Sequence, residues 1–218
     1  MSLKLVIGNK NYSSWSMRPW LALRANNIAF EEVFIPLYTG DADKKRILGF
    51  TRSGKVPALI DGDVTIWDSL AIIEYLAERF PETRLWPEER AHRAHARSIS
   101  AEMHSGFAAL RNECGMNLHR PVGAIELSTA ARADIARIQE IWTECRERFG
   151  KSGPFLFGAF GGADAMFAPV VHRFRSYAIA VTPVLQRYMD TMMALPAFQE
   201  WTGAALAETL VIDRFETV

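Results

Sequence analysis

Cysteine is scarce in this chain: Cys114 and Cys145 are the only two among 218 residues. Their spacing suits neither a metal site nor a disulfide framework, so a reducing compartment and no metal are expected. Net charge is missing as well, since 25 basic side chains balance 25 acidic ones. A nucleic-acid partner normally leaves a basic excess, so none is expected. No run approaches the roughly 18 apolar residues of a membrane span. The opening MSLKLVIGNK is too briefly apolar for a signal peptide. The expectation is a soluble, cytoplasmic protein with no membrane partner. Internal repeats and low-complexity tracts are also missing.

What is present divides into two halves. About half the residues are apolar, enough for one large core or two smaller ones. KLVIG (4–8) reads as a buried strand, 17–26 as a helix and FEEVFIPL (30–37) as a second strand. VPALI (56–60) and VTIW (64–67) flank Asp61-Gly62-Asp63, a tight-turn sequence, and read as a hairpin. Residues 69–80 return to helical spacing, with Leu70, Ile73, Leu76 and Ala77 on one face. The order is βαβ then ββα, a mixed four-stranded α/β unit over residues 1–80. PETRLWP (81–87) forms the linker. From 88 to 218 no convincing strand occurs, and the spacing predicts an all-α half. Its helices fall at 87–111, 128–149, 163–177, 182–193 and 196–206.

Three places carry chemistry. NYSSWSMRPW (11–20) crowds hydroxyls at a helix mouth. Pro19 is comfortable only in a first turn, which predicts a start near Trp15 or Ser16 with Ser13 and Ser14 in the preceding loop. There they face unpaired N–H groups and the positive end of the helix dipole, a place that stabilises an anion. They can equally be plain caps. GKVPAL (54–59) puts Pro57 at a strand entry. Pro57 is either an ordinary strand-start proline or a cis proline that leaves Val56 free to pair with an extended peptide. Asp68-Ser69 opens an apolar helix and either caps it or binds a ligand.

Taken together, SSWSMRPWLAL, GKVPAL and DSLAIIEYL, followed by an all-helical half, resemble the cytosolic glutathione S-transferases, of the serine type found in the zeta and tau classes. The resemblance spans nearly the whole chain, and FLFGAFGGADAMFAPVVHRF (155–174) resembles the family's helical-domain motif. It implies a thioredoxin-like N-terminal domain, an all-α C-terminal domain, a homodimer, and glutathione as co-substrate. Counting back from Arg18 picks Ser13 as the serine that meets the glutathione sulfur, and a shorter spacing picks Ser14. Tyr12 is a third hydroxyl. Val56, before a cis Pro57, would bind the cysteinyl backbone. Asp68 and Ser69 would bind the γ-glutamyl end, and Lys55 the glycyl carboxylate. Met103, His104, Phe107 and Arg111, at near-helical spacing, would line the electrophile pocket, with Arg111 attracting an acidic substrate.

Two positions depart from the family. Trp15 stands where the zeta class has cysteine, and Gly161 stands where the family commonly has the Ser or Thr of a capping box with Asp164. The implied activity is transfer of glutathione to a small electrophile. An isomerase of the maleylacetoacetate type, or a non-catalytic binding protein on the same fold, are the alternatives. A thiol reductase ranks low, because its helix-mouth position needs a cysteine.

Overall fold

The computed structural model describes residues 2–216, so the ends of the expected 1–80 and 88–218 units lie outside the described residues. β1 (Leu3–Ile7) pairs parallel with β2 (Phe30–Phe34) and antiparallel with β3 (Ala58–Asp61). β4 (Val64–Ile66) closes the hairpin, giving the order β2-β1-β3-β4. A parallel pair needs a crossover, which α1 (Ser14–Ala25) supplies. Gly62, at φ 63°, makes the hairpin turn.

Strand alternation sorts the two faces. Leu3, Leu5 and Ile7 point into the main core with α1 and α3 (Ser69–Arg79). Val6 points the other way, where Ile35, Ala58 and Ile47 of α2 (Asp41–Leu48) cover it. α2 is absent from the sequence-based reading. It buries only Ile47, so it carries little apolar periodicity. Its signals are end signals: acids in its first turn, bases in its last, and glycines on both sides.

The second half contains α4 (Arg90–Ser105), α5 (Ala108–Glu113), α6 (Thr129–Arg148), α7 (Gly162–Ser176), α8 (Pro183–Ala194) and α9 (Pro196–Leu206). The single helix expected over 87–111 is two. Gly106 ends α4, because a Cβ there would stand 2.8 Å from the Glu102 carbonyl oxygen. Phe107 then turns left-handed, at φ 57°, before α5. The Ser-Gly dipeptide was the sequence sign of that break. No helix among the described residues is long and apolar enough to cross a membrane.

α7 is the hub. Nearly all of it is buried, and it packs on α1, α4 and α8. Its start rests on Asp164, which accepts the N–H of Gly161 at 2.9 Å and of Leu156 at 3.1 Å. Burial pushes this carboxyl up to about 6 despite those bonds. Asp164→Ala would leave two enclosed donors unpaired. It is expected to lower stability by about 3 kcal/mol in urea denaturation, with Asp164→Asn costing less because it keeps an acceptor.

Candidate functional site

The β1–α1 loop carries the hydroxyls. α1 begins at Ser14, not at Trp15 or Ser16, and Ser13 is its N-cap. Pro19 therefore lies inside the helix, about one turn deeper than its chemistry favours. The strong cap sets the start: Ser13 Oγ accepts the Ser16 N–H at 3.3 Å and donates to Ser16 Oγ at 2.8 Å. Ser16 Oγ also accepts the Gly8 N–H at 3.1 Å, which ties the helix mouth to the end of β1. Ser14 is buried too, yet its hydroxyl makes no hydrogen bond among the described residues. Tyr12 faces elsewhere. Its hydroxyl donates to Glu216 at 2.5 Å and accepts the Ile212 N–H at 3.3 Å, so it anchors the C-terminal segment.

The two other stretches converge on the same end of the sheet. The Val56–Pro57 peptide is cis, and neither polar group of the Val56 backbone joins a backbone hydrogen bond among the described residues. Lys55 is exposed beside it. Asp68 caps α3, its Oδ1 accepting the Leu70 N–H at 3.2 Å. Its Oδ2 lies 3.1 Å from His104 Nε2, which links the sheet half to α4. The Ser69 hydroxyl is fully buried and has no partner among the described residues. An unsatisfied enclosed hydroxyl beside a helix N-terminus fits an anionic group of a ligand, such as a carboxylate.

The residues expected in the electrophile pocket separate. Met103 and Phe107 are buried in the main core. His104 and Arg111 are part-exposed and meet Trp15: the His104 ring lies edge-on to it at 5.3 Å, and the Arg111 guanidinium is 5.3 Å from its centroid. Arg111 also donates to the His104 carbonyl at 3.2 Å.

Beneath Trp15 lies a feature that sequence reasoning did not weigh. The Arg18 guanidinium sits 4.3 Å from the Trp15 centroid, is fully buried, and leaves all three nitrogens unpartnered among the described residues. Burial, then the charges of Arg173 and Arg111, push it down to about 9. Arg173 on α7 is also buried and is pushed down to about 10 by burial and by Arg111. It donates through Nε to the Cys114 carbonyl at 2.8 Å and leaves Nη1 unpartnered. Asp68 offsets part of this repulsion at Arg18, yet no carboxylate bonds either guanidinium among the described residues, and enclosed like charges are costly unless an anion joins them. The available signal was an arginine inside each of two apolar helical runs, MRPWLAL and VVHRF.

The glutathione S-transferase N-terminal domain model matches residues 12–79, and the C-terminal domain model matches 128–204. A zeta-class glutathione S-transferase of Euphorbia esula is 32% identical over 192 residues, covering 86% of this chain and 84% of that protein. A maleylacetoacetate isomerase of Pseudomonas aeruginosa is 27% identical over 208 residues, covering 91% and 94%. Among solved structures, a bacterial zeta-class maleyl pyruvate isomerase superposes with a TM-score of 0.71 at 21% identity, over 95% of this chain and all of that one. A thioredoxin-like sheet domain, an all-helical domain and relatives of this coverage agree: the chain belongs to the glutathione S-transferase family.

Proposed function

We propose that this protein is a glutathione transferase in which a serine hydroxyl at the mouth of α1 activates the glutathione thiol for attack on a carboxylate-bearing electrophile. The observation that carries the substrate class is Arg18, unpartnered among the described residues beneath Trp15, with Arg111 against the same indole and the buried charge of Arg173 acting on it. Glutathione extends along the unpaired Val56 backbone, with Pro57 shaping that segment and Lys55 meeting the glycyl carboxylate. Its γ-glutamyl carboxylate takes the Ser69 hydroxyl, and its ammonium takes Asp68. The sulfur then reaches the positive end of α1, where helix dipoles lower a thiol pKa from about 8.5.

Ser13 is the proposed sulfur donor. Its present donation to Ser16 can reverse. Ser16 then donates to Ser13, Ser13 donates to the thiolate, and the Gly8 N–H still holds Ser16. In a transfer, the C–S bond forms as the leaving group departs with its electron pair. A second reading places the sulfur on Ser14, favoured by that hydroxyl's lack of a partner among the described residues.

The same site supports an isomerase of the type named in the Pseudomonas relative, in which the thiolate adds to an unsaturated acid and leaves again. The chain is proposed to work in the cytoplasm as a homodimer. Retention on immobilised glutathione, paired with conjugation of an aryl halide and of an unsaturated dicarboxylic acid, tests the reading. Retention with turnover of at least one electrophile is expected. Retention with turnover of neither would instead favour a binding protein.

A further inference from the structure

The β1–α1 loop reaches Ser13 through a tight turn. The Asn9 carbonyl accepts the Tyr12 N–H at 3.2 Å, which closes the turn, and the Ser13 N–H at 2.7 Å, which joins the turn to the cap of α1. Such a turn leaves the N–H groups of its central residues, here Lys10 and Asn11, without a partner inside the turn. Asn11 is buried and Lys10 half-buried, so these donors need partners from elsewhere in the protein.

One side chain supplies both. Glu208 accepts the Lys10 N–H through Oε1 at 2.6 Å and the Asn11 N–H through Oε2 at 3.2 Å. Each oxygen takes one donor, so the carboxylate fixes the tilt of the turn as well as its place. Glu208 stands 198 positions from Lys10, just past the end of α9. Its own N–H donates to the Ala205 carbonyl at 3.2 Å, so its backbone is held by that helix, and α9 packs on α1. The Lys10 N–H and the Asn9 carbonyl are opposite ends of one rigid peptide plane. Glu208 therefore holds one end of the plane on which the Ser13 N–H rests at the other.

We propose that Glu208 is a positioning residue for the sulfur contact: by holding the Asn9–Lys10 peptide, it sets where Ser13 presents its hydroxyl. The inference rests on the Ser13 reading above and adds to it the group that fixes the serine from beyond α9. Glu208 itself touches neither glutathione nor the electrophile. Without its carboxylate the peptide plane tips toward other partners and the Ser13 N–H follows. The hydroxyl then leaves its line to the sulfur, while the contacts at Val56, Asp68 and Ser69 stay in place. The loss falls on thiol activation and turnover, not on glutathione affinity. A misplacement of about 1 Å at a reacting group costs up to about a hundredfold, and a turn that keeps its Asn9 bonds moves less, which sets about three- to tenfold here.

The test is ultraviolet titration of the thiolate of bound glutathione, with kcat and the glutathione Kd alongside. It compares wild type, Glu208→Gln and Glu208→Ala, each with and without Ser13→Ala. Glu208→Ala should raise the thiol pKa by about half to one unit and lower kcat about three- to tenfold, with Kd changed by less than about twofold. Glu208→Gln keeps one acceptor oxygen and should fall between the two, and it carries the test if the alanine variant folds poorly. In the Ser13→Ala background neither substitution should move the thiol pKa further, a coupling that a merely structural role does not produce. An unchanged titration in both Glu208 variants, or equal shifts with and without Ser13, overturns the role of Glu208 and leaves the serine standing. A Ser13→Ala protein that titrates like wild type overturns the sulfur reading itself.

Discussion

Ser13→Ala should raise the pKa of bound glutathione by about one to two units and cut turnover near neutral pH by on the order of ten- to a hundredfold. The charge-assisted bond and the helix dipole together supply a shift of that size. Glutathione should still bind, because Asp68, Ser69 and Val56 are untouched. The measurement is the ultraviolet absorbance of the thiolate as a function of pH, alongside steady-state rates. The variant carries a second signature, because Ser13 is also the α1 cap: stability should fall by about 1 kcal/mol. Ser14→Ala removes no cap and should leave stability alone. Loss of thiolate in Ser14→Ala, with Ser13→Ala showing only the stability change, would move the sulfur contact one residue along.

Arg111→Met is expected to reduce kcat/KM for an unsaturated acid by about ten- to a hundredfold, the size of a lost hydrogen bond to a charged group. The loss for a neutral aryl halide should be much smaller, and the ratio of the two is the measured quantity. Arg111 is the suitable probe because it is part-exposed against Trp15, whereas Arg18 is sealed beneath the indole. Equal losses on both electrophiles would mean that Arg111 only braces His104 and Trp15, and would remove the argument for an acidic substrate.

The elements that read well from sequence bury a clear stripe or strand face: β1, α3, α6 and α9. α2 was invisible because it buries one side chain. The break between α4 and α5 was missed because the apolar spacing runs across it, while the cause is a close backbone approach at Gly106. At the candidate site, Ser13, Asp68 and Pro57 could be picked out because helix caps and a proline at a strand entry are local features of the chain, whereas the cis isomer of Pro57 came only from the structure. The link from Asp68 to His104, and the meeting of Arg18 with Arg173, join residues from separate helices. No local pattern encodes such pairs, because they arise only when the two halves pack.

The segment after α9 returns to the β1–α1 loop. Glu208 accepts the N–H groups of Lys10 and Asn11 at 2.6 and 3.2 Å, and Glu216 takes the Tyr12 hydroxyl. Asn11 Oδ1 meanwhile accepts the N–H groups of Leu118 and His119. The loop that delivers Ser13 is therefore clasped by partners roughly a hundred and two hundred positions downstream. During synthesis the sheet half emerges first and can pair its strands, yet the clasp at Asn11 waits for Leu118 and His119, and those at Lys10 and Tyr12 wait for Glu208 and Glu216. Until those residues are made, the nascent N-terminal half carries its serines on an unfastened loop.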